Sequence, residues 1–129
     1  MTLTPAQREF LGGRHYAIVG TLNHDGSIQQ TVVWYLLDGD AIRFSIGAGS
    51  VKARNLRRSP TISVTIEDGP RSLSLGGTAV VEPADPQLRL ALAQRYLGPD
   101  RAAEWVARRP EAPRASVRMT ITRTYGQGV

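Results

Sequence analysis

The chain has 129 residues, which fits a single domain over residues 1–129 with a buried core. It contains no Cys, which excludes disulfides, thiolate metal sites and a Cys nucleophile. The sequence shows no secretory signal pattern at its start and no apolar run of roughly 20 residues, so we expect a cytoplasmic protein without membrane contact. The formal net charge is +5, but the basic run at 52–58 lacks the interleaved aromatic side chains of single-strand binders, so we expect no nucleic-acid partner.

The first predicted elements are a short helix and a meander of strands. Thr4 as N-cap and Pro5 as the first helical residue predict a helix that ends at Gly12 and Gly13. Residues that favour strands then alternate with turn sequences such as Asp-Gly. These patterns predict three strands, at 14–22, 28–37 and 41–46.

The second half of the chain begins with a basic helix that starts after Ser50 and stops at Pro60. Three further strands are predicted, at 61–67, 71–81 and 116–125. The pair Gly76 and Gly77 predicts a bulge or sharp bend in the second of these. A helical hairpin precedes the last strand. Because turns make most of the strand connections, we expect a mainly β protein, a closed barrel of six antiparallel strands with short flanking helices.

Catalytic motifs with their own chemistry are absent from the sequence. There is no GxSxG, P-loop, GxGxxG or HExxH pattern. The only histidines, His15 and His24, lie in different parts of the chain, so we expect no metal site. No pair of acids stands out as general acid and base, and the catalytic residues stay unknown. An enzyme of this composition would depend on a bound organic cofactor.

One short stretch carries the whole excess of positive charge. Between Asp40 and Glu67 there is no acid, and the remaining cations and acids of the chain cancel. The five cations in this window are Arg43, Lys52, Arg54, Arg57 and Arg58. Lys52 is the only lysine. The open alternative is a solvated helix face, and it fits Arg57 and Arg58 best.

The start of the basic helix has the features of a phosphate site. Ser50 is its expected N-cap. The backbone amides that follow point out of the helix start, where the helix dipole is positive. Lys52 and Arg54 add full charges, and Asn55 can donate an amide hydrogen bond. The preceding strand ends at Ser45 and Ile46, where glycines allow a ligand close to the backbone.

The order of these elements resembles the pyridoxamine 5'-phosphate oxidase-like split-barrel family. The resemblance is carried by the meander, the segment Lys52-Ala53-Arg54-Asn55-Leu56, the strand with Ile62-Ser63-Val64, and Gly76-Gly77-Thr78-Ala79-Val80. Within the family, the chain resembles most the small reductases that use the deazaflavin coenzyme F420. The resemblance implies an FMN-binding type of split barrel, and homodimers with the cofactor in a groove at the interface.

The family resemblance also implies the positions of the cofactor contacts. Lys52 would be the main phosphate ligand, with Ser50 and Asn55 assisting and Arg54 beside them. Ser45 and Ile46 would line the ring through their backbone. The groove would be lined from the second strand by Gln29, Thr31, Val33 and Trp34. Trp34 could instead be a core or dimer contact.

The resemblance implies an F420-dependent oxidoreductase. It would transfer hydride between F420 and an electron-poor small organic acceptor, such as an enone, a quinone or a tetrapyrrole. The surplus charge of Arg57 and Arg58 suits the acidic tail of F420. Two alternatives stay open: an FMN-binding oxidoreductase of the same fold, and a non-catalytic module that binds flavin or haem.

Overall fold

The computed structural model describes residues 2–109 and 113–129. Four helices lie within these residues: α1 (Pro5–Gly12), α2 (Val51–Arg58), α3 (Pro86–Leu97) and α4 (Pro99–Ala107). The same residues contain seven strands: β1 (Ala17–Leu22), β2 (Ile28–Val33), β3 (Leu36–Asp38), β4 (Ala41–Gly47), β5 (Thr61–Asp68), β6 (Arg71–Pro83) and β7 (Arg114–Gln127). None of the described helices is both long and apolar enough to cross a bilayer.

A single antiparallel sheet closes into a barrel through one continuous stretch of chain. The strands are ordered β2-β1-β5-β6-β7-β4-β3, so β2 and β3 lie at opposite ends of the sheet. Only Trp34 and Tyr35 separate them in sequence, which brings the two ends of the sheet together. The barrel is therefore closed at this point by the covalent chain rather than by a ladder of hydrogen bonds.

The split of the second strand corrects the predicted strand count from six to seven. The predicted strand at 28–37 is two strands, of which β2 pairs with β1 and β3 pairs with β4. Tyr35 causes the break, because its side chain is fully buried and its hydroxyl donates to the carbonyl of Leu11 at 2.8 Å. Burial also raises the pKa of this phenol to about 12. The mainly β fold and the split barrel are confirmed.

Gly77 provides the bulge that the sequence predicts in β6. The register between β6 and β7 shifts between Gly76 and Gly77. A Cβ atom at Gly77 would lie 1.9 Å from the carbonyl oxygen of Thr120, which no real side chain tolerates. The close approach of two backbones thus requires glycine at this position.

The barrel interior is one continuous apolar core, to which every strand except β2 and β3 contributes fully buried side chains. The pair α3–α4 stays outside it. This helical hairpin packs through a smaller cluster, formed by Leu88, Leu92 and Tyr96 against Trp34 and Leu36. The hairpin therefore covers the place where the barrel closes.

Arg95 of α3 fixes the hairpin to the rest of the molecule. Its guanidinium donates to the carbonyls of Leu11 and Gly13 at the end of α1, at 3.2 and 2.6 Å. It also lies over the rings of Tyr35 and Tyr96. The carbonyls that α1 leaves without helical partners are thereby satisfied from another element.

Candidate functional site

Helix α2 is seated on the barrel so that its first turn faces the end of β4. Ser50 is the N-cap, and its side chain accepts from the amide of Ala53 at 3.2 Å. Ala53 and Leu56 are buried against the barrel. Lys52 projects from the other side of the first turn, toward the helical hairpin.

A cavity of about 310 Å³ lies between this helix start, the barrel closure and the hairpin. Its lining combines apolar strand residues, two tryptophans and three cations. The lining residues are Val32, Val33, Trp34, Ser45, Ile46, Gly47, Lys52, Arg89, Leu92, Trp105 and Arg114. Such a mixture of a flat apolar wall and a few convergent charges is typical of cofactor sites.

Lys52 is a partly buried cation without a carboxylate partner among residues 2–109 and 113–129. Burial lowers the pKa of its ammonium below the ordinary value, and the positive charge of Arg114 lowers it further. Both effects oppose the charged form. An anion bound in the cavity would relieve both of them.

Arg114 and Arg89 are the other two cations of the cavity. Arg114 starts β7 and donates to the Ser45 hydroxyl at 3.0 and 3.3 Å. Its pKa is lowered by burial and then by the charge of Arg89. Arg89 of α3 donates to the carbonyl of Arg109 at 2.7 Å, and its guanidinium lies 5.4 Å from the centre of the Trp105 ring. Neither arginine forms an ion pair within the described part of the chain.

Three aromatic rings form a stack behind the cavity. Trp34 lies parallel to Tyr96, with ring centres 5.1 Å apart and planes 6° apart. Trp105 meets Trp34 at the same distance with a tilt of 39°. The Tyr96 hydroxyl donates to the carbonyl of His15, which holds this stack on the barrel. The rings give the cavity a rigid flat wall.

The model of the pyridoxamine 5'-phosphate oxidase family matches residues 3–128. The chain belongs to this family. An F420H(2)-dependent biliverdin reductase of Mycobacterium tuberculosis is 34% identical to it over 122 residues, which are 91% of this chain and 82% of the relative. The predicted family and the prediction of an oxidoreductase are confirmed.

Solved structures of the family share the fold of this chain. A conserved hypothetical protein of Mycobacterium tuberculosis superposes with a TM-score of 0.81 at 26% identity, covering 98% of this chain and 86% of that one. A structure described as an F420 reductase gives a TM-score of 0.78 at 24% identity, covering 95% and 98%. The second likeness, at this identity, concerns the fold alone.

The structure brings half of the predicted site residues to the cavity of this family member. Those that line it are Val33, Trp34, Ser45, Ile46 and Lys52. Ser50 acts as the N-cap and does not itself line the cavity. Arg54 is exposed and donates to the carbonyl of Gly49 at 2.9 Å. For these two, a direct contact with a cofactor stays a prediction.

Asn55 points into the barrel instead of the cavity. Its amide donates to the Thr21 hydroxyl at 3.0 Å and to the Asn23 side chain at 2.9 Å, and its oxygen accepts from Arg58 at 3.1 Å. These bonds use both ends of the amide and hold α2 in place. The geometry thus gives Asn55 a structural role, and its predicted contact with phosphate has no support from it.

Gln29 and Thr31 carry acceptors that the described residues leave unused. The Gln29 Oε1 and Thr31 Oγ1 atoms are buried and have no hydrogen-bond partner among the described residues, although buried polar atoms are normally satisfied. Neither residue lines the cavity, so their contact with a cofactor stays a prediction. Lys52 and the ring wall fit a planar cofactor with a phosphate. No group of three or more His, Asp or Glu within residues 2–109 and 113–129 could hold a metal ion.

Arg89 and Arg114 were missed by the sequence reasoning. They lie far from Lys52 in the chain, and an arginine on a helix or at a strand end is usually solvated. One signal was available. Arg89 and Leu92 are three residues apart and thus share a helix face.

Proposed function

We propose that this protein is an F420-dependent reductase that binds the deazaflavin cofactor in the cavity beside α2. The observation that carries the proposal is Lys52, a partly buried cation at the start of α2 that faces the cavity beside an aromatic wall and has no carboxylate partner among residues 2–109 and 113–129. F420 combines a planar ring with a phosphodiester and an acidic tail, which are the shapes and charges that this lining suits. The F420-dependent relative at 34% identity supports the same cofactor.

Lys52 holds the phosphate in this proposal. Its ammonium stands on the first turn of α2, where the helix dipole adds to its charge. Arg54 and Arg57 donate to the carbonyls of Gly49 and Ala48, at 2.9 and 2.8 Å, so both lie along the loop that leads into α2. These exposed guanidinium groups suit the acidic tail of F420, which a cofactor as short as FMN lacks.

The protein contributes to the reaction by orienting the cofactor ring and by excluding water from the reacting atoms. When bound, reduced F420 supplies the hydride. Trp34, held by Tyr96, fixes the plane against which a ring can lie. Val33 and Ile46 line the cavity with apolar surface, which excludes water from the reacting atoms. We propose that the acceptor is an electron-poor enone, quinone or tetrapyrrole, and that its proton comes from solvent.

A homodimer completes the site in this proposal. The outer face of β1 and β2 leaves apolar side chains exposed, with Ile28 and Val32 at 66% and 64% and Ile18 at 37%. Exposed apolar patches of this kind mark interaction surfaces. Val32 also lines the cavity, so a second copy seated on this face would cover the open side of the cofactor site.

Cofactor titration tests the proposal directly. We expect F420 to bind more tightly than FMN, measured by the change in the cofactor's own fluorescence. Lys52→Ala removes a charge-assisted contact worth about 1.5–3 kcal/mol, so F420 affinity should fall roughly 10- to 150-fold. Arg123→Ala, which removes a cation far from the cavity, is the matched control. Unchanged affinity in Lys52→Ala would show that the phosphate lies elsewhere.

Turnover separates an enzyme from a binding module. We expect the protein to oxidise reduced F420 in the presence of biliverdin, which is chosen because the relative acts on it, or of a quinone or enone. The readout is the return of the absorbance of oxidised F420. Tight F420 binding without turnover of any acceptor would favour a cofactor carrier. Tighter binding of FMN than of F420 would favour the flavin-dependent alternative.

A further inference from the structure

Arg89 and Arg114 stand between two cavities. The first is the cofactor cavity that also contains Lys52, and the second has a similar volume of about 310 Å³. Ser45, Arg89 and Arg114 line both of them. The rest of the second cavity is formed by the start of α3 and by Val106 of α4. The two arginines are thus reached from both sides, while Lys52 is reached only from the first.

The hydrogen-bonding capacity of the two guanidinium groups is largely unused. Arg114 donates only to the Ser45 hydroxyl, and Arg89 only to the carbonyl of Arg109, among the contacts within residues 2–109 and 113–129. The Nε atom of Arg89 is buried and has no hydrogen-bond partner among the described residues. Two like charges that line the same cavity, with no counter-ion in the described part of the chain, form a preorganised site for an anion.

Among residues 2–109 and 113–129, Asp85 is the acid that lines the second cavity, and both of its carboxylate oxygens already accept hydrogen bonds. Asp85 caps α3 by accepting from the amides of Gln87 and Leu88, both at 3.1 Å. Its other oxygen accepts from Arg43 at 3.2 Å. Asp85 forms no ion pair with Arg89 or Arg114, and the charged side chains of the described residues that line the second cavity carry a net positive charge.

Trp105 places an aromatic surface next to the arginine pair. Arg89 and Arg109 both lie over its ring, 5.4 and 4.7 Å from the centre, and the Trp34 ring lies 5.1 Å from it with a tilt of 39°. The contact with the ring restrains the Arg89 side chain, whose planar fork can make two parallel hydrogen bonds to a carboxylate. A conjugated body attached to that carboxylate would lie against the tryptophans.

We propose that Arg89 and Arg114 form a subsite that recognises a carboxylate on the planar hydride acceptor. The subsite is separate from the phosphate contact at Lys52. This inference rests on the proposed function, since it assigns the substrate class of the same site. It predicts that the protein prefers acceptors with an acidic side chain to neutral acceptors of the same ring system.

The test compares biliverdin with its dimethyl ester, in which each of two carboxylates is replaced by a neutral methyl ester on the same ring system. For the wild type, we expect the KM for the acid to be roughly 10-fold or more below that for the ester, as a charge-assisted contact implies. Arg89→Gln and Arg114→Gln should remove this preference and should lower F420 affinity much less than Lys52→Ala does, since their direct contacts go to the acceptor. Arg101→Gln, an exposed arginine of α4, is the control with the same charge loss.

Two variants are needed because Arg89 also ties α3 to the end of α4 through the Arg109 carbonyl. Arg114 lies on β7 and has no such role, so Arg114→Gln tests the subsite even if Arg89→Gln loosens the hairpin. Equal KM values for acid and ester in the wild type would overturn the proposal. So would a loss of F420 affinity in both variants with the preference for the acid intact, because the pair would then belong to the cofactor.

Failure of the proposed function would give a different result. In that case reduced F420 is not oxidised with any acceptor, and the subsite is tested by direct binding. Biliverdin and its ester are titrated against the protein, and the shift in the pigment's own absorbance is followed. Tighter binding of the acid that is lost in Arg114→Gln supports the subsite, and equal binding of the two pigments overturns it.

Discussion

The barrel and the helical hairpin differ in how much apolar surface they bury. The barrel interior is a continuous cluster of apolar side chains, many of them completely inaccessible to solvent. The hairpin rests on a cluster of only three buried residues, with Trp34 and Leu36 added from the barrel closure. The cations that face the cavity, Arg89 and Arg114 among them, all lie outside the barrel core.

This difference assigns stability and ligand binding to different parts of the molecule. The side chains of the barrel core are already fully packed and make no contact with a ligand, whereas a ligand in the cavity would contact the small cluster and the charges beside it. Substitutions in the barrel should therefore change the free energy of unfolding. Substitutions around the cavity should change ligand affinity and leave the free energy of unfolding nearly constant.

The largest expected effect comes from breaking the barrel at its bulge. Gly77→Ala places a methyl group against the Thr120 carbonyl at a separation that requires the backbone to move. We expect a loss of about 3 kcal/mol or more in the free energy of unfolding, measured by urea denaturation followed by far-ultraviolet circular dichroism. Gly12→Ala is the control, since a Cβ there meets nothing within 4 Å. Equal stability of the two variants would contradict the steric argument.

A medium effect is expected where α2 is joined to the barrel. Asn55→Ala leaves the buried Thr21 hydroxyl without its partner. We expect a loss of about 2 kcal/mol in the free energy of unfolding, with F420 affinity per folded molecule little changed. Arg54→Ala, on the exposed side of the same helix, should cost less than about 0.5 kcal/mol. A variant of Asn55 that keeps its stability but loses F420 would restore the predicted phosphate contact.

The smallest effect on stability is expected at Lys52, and it has the opposite sign. Burial of this ammonium lowers its pKa from the ordinary 10.5, so the folded state disfavours the charged form. Lys52→Met should therefore raise the free energy of unfolding at neutral pH, by less than about 1 kcal/mol because solvent screens a half-buried charge. The same substitution should lower the affinity for F420 about as much as Lys52→Ala does.

The pH dependence of the free energy of unfolding provides a second test of the charge on Lys52. The penalty for the charged lysine is present below its lowered pKa and disappears as the pH rises through that value to 10.5, the ordinary value. The advantage of Lys52→Met over the wild type should shrink over this alkaline range. An advantage that is constant with pH would show that the gain comes from packing rather than from charge.

Most of the barrel could be predicted from local patterns, because alternation and turn residues mark β5, β7 and the β1–β2 hairpin directly. The division of residues 28–37 could not be predicted in this way. Thr, Val, Trp, Tyr and Leu follow one another there, and each of them favours a strand. What breaks the strand is the burial of Tyr35 under α1, which depends on contacts remote in sequence.

The site shows the same limit. Lys52 was found because its charge, its N-cap and the glycines before it are neighbours in the sequence. Arg89 and Arg114 reach the same cavity through an inserted hairpin and through the last strand, and no local pattern distinguishes them from surface arginines. The direction of Asn55 was missed for a related reason, since the helix could be predicted but its rotation on the barrel could not.

The placement of the tryptophans has a practical consequence. The chain contains two, Trp34 and Trp105, and both line the cavity. Emission excited selectively at tryptophan therefore comes from the cavity wall, and the interior of the barrel does not contribute to it. A denaturation curve recorded by this emission should follow the hairpin, whereas circular dichroism follows the sheet. The two curves would separate if the hairpin detaches before the barrel unfolds, and a bound ligand should bring them together.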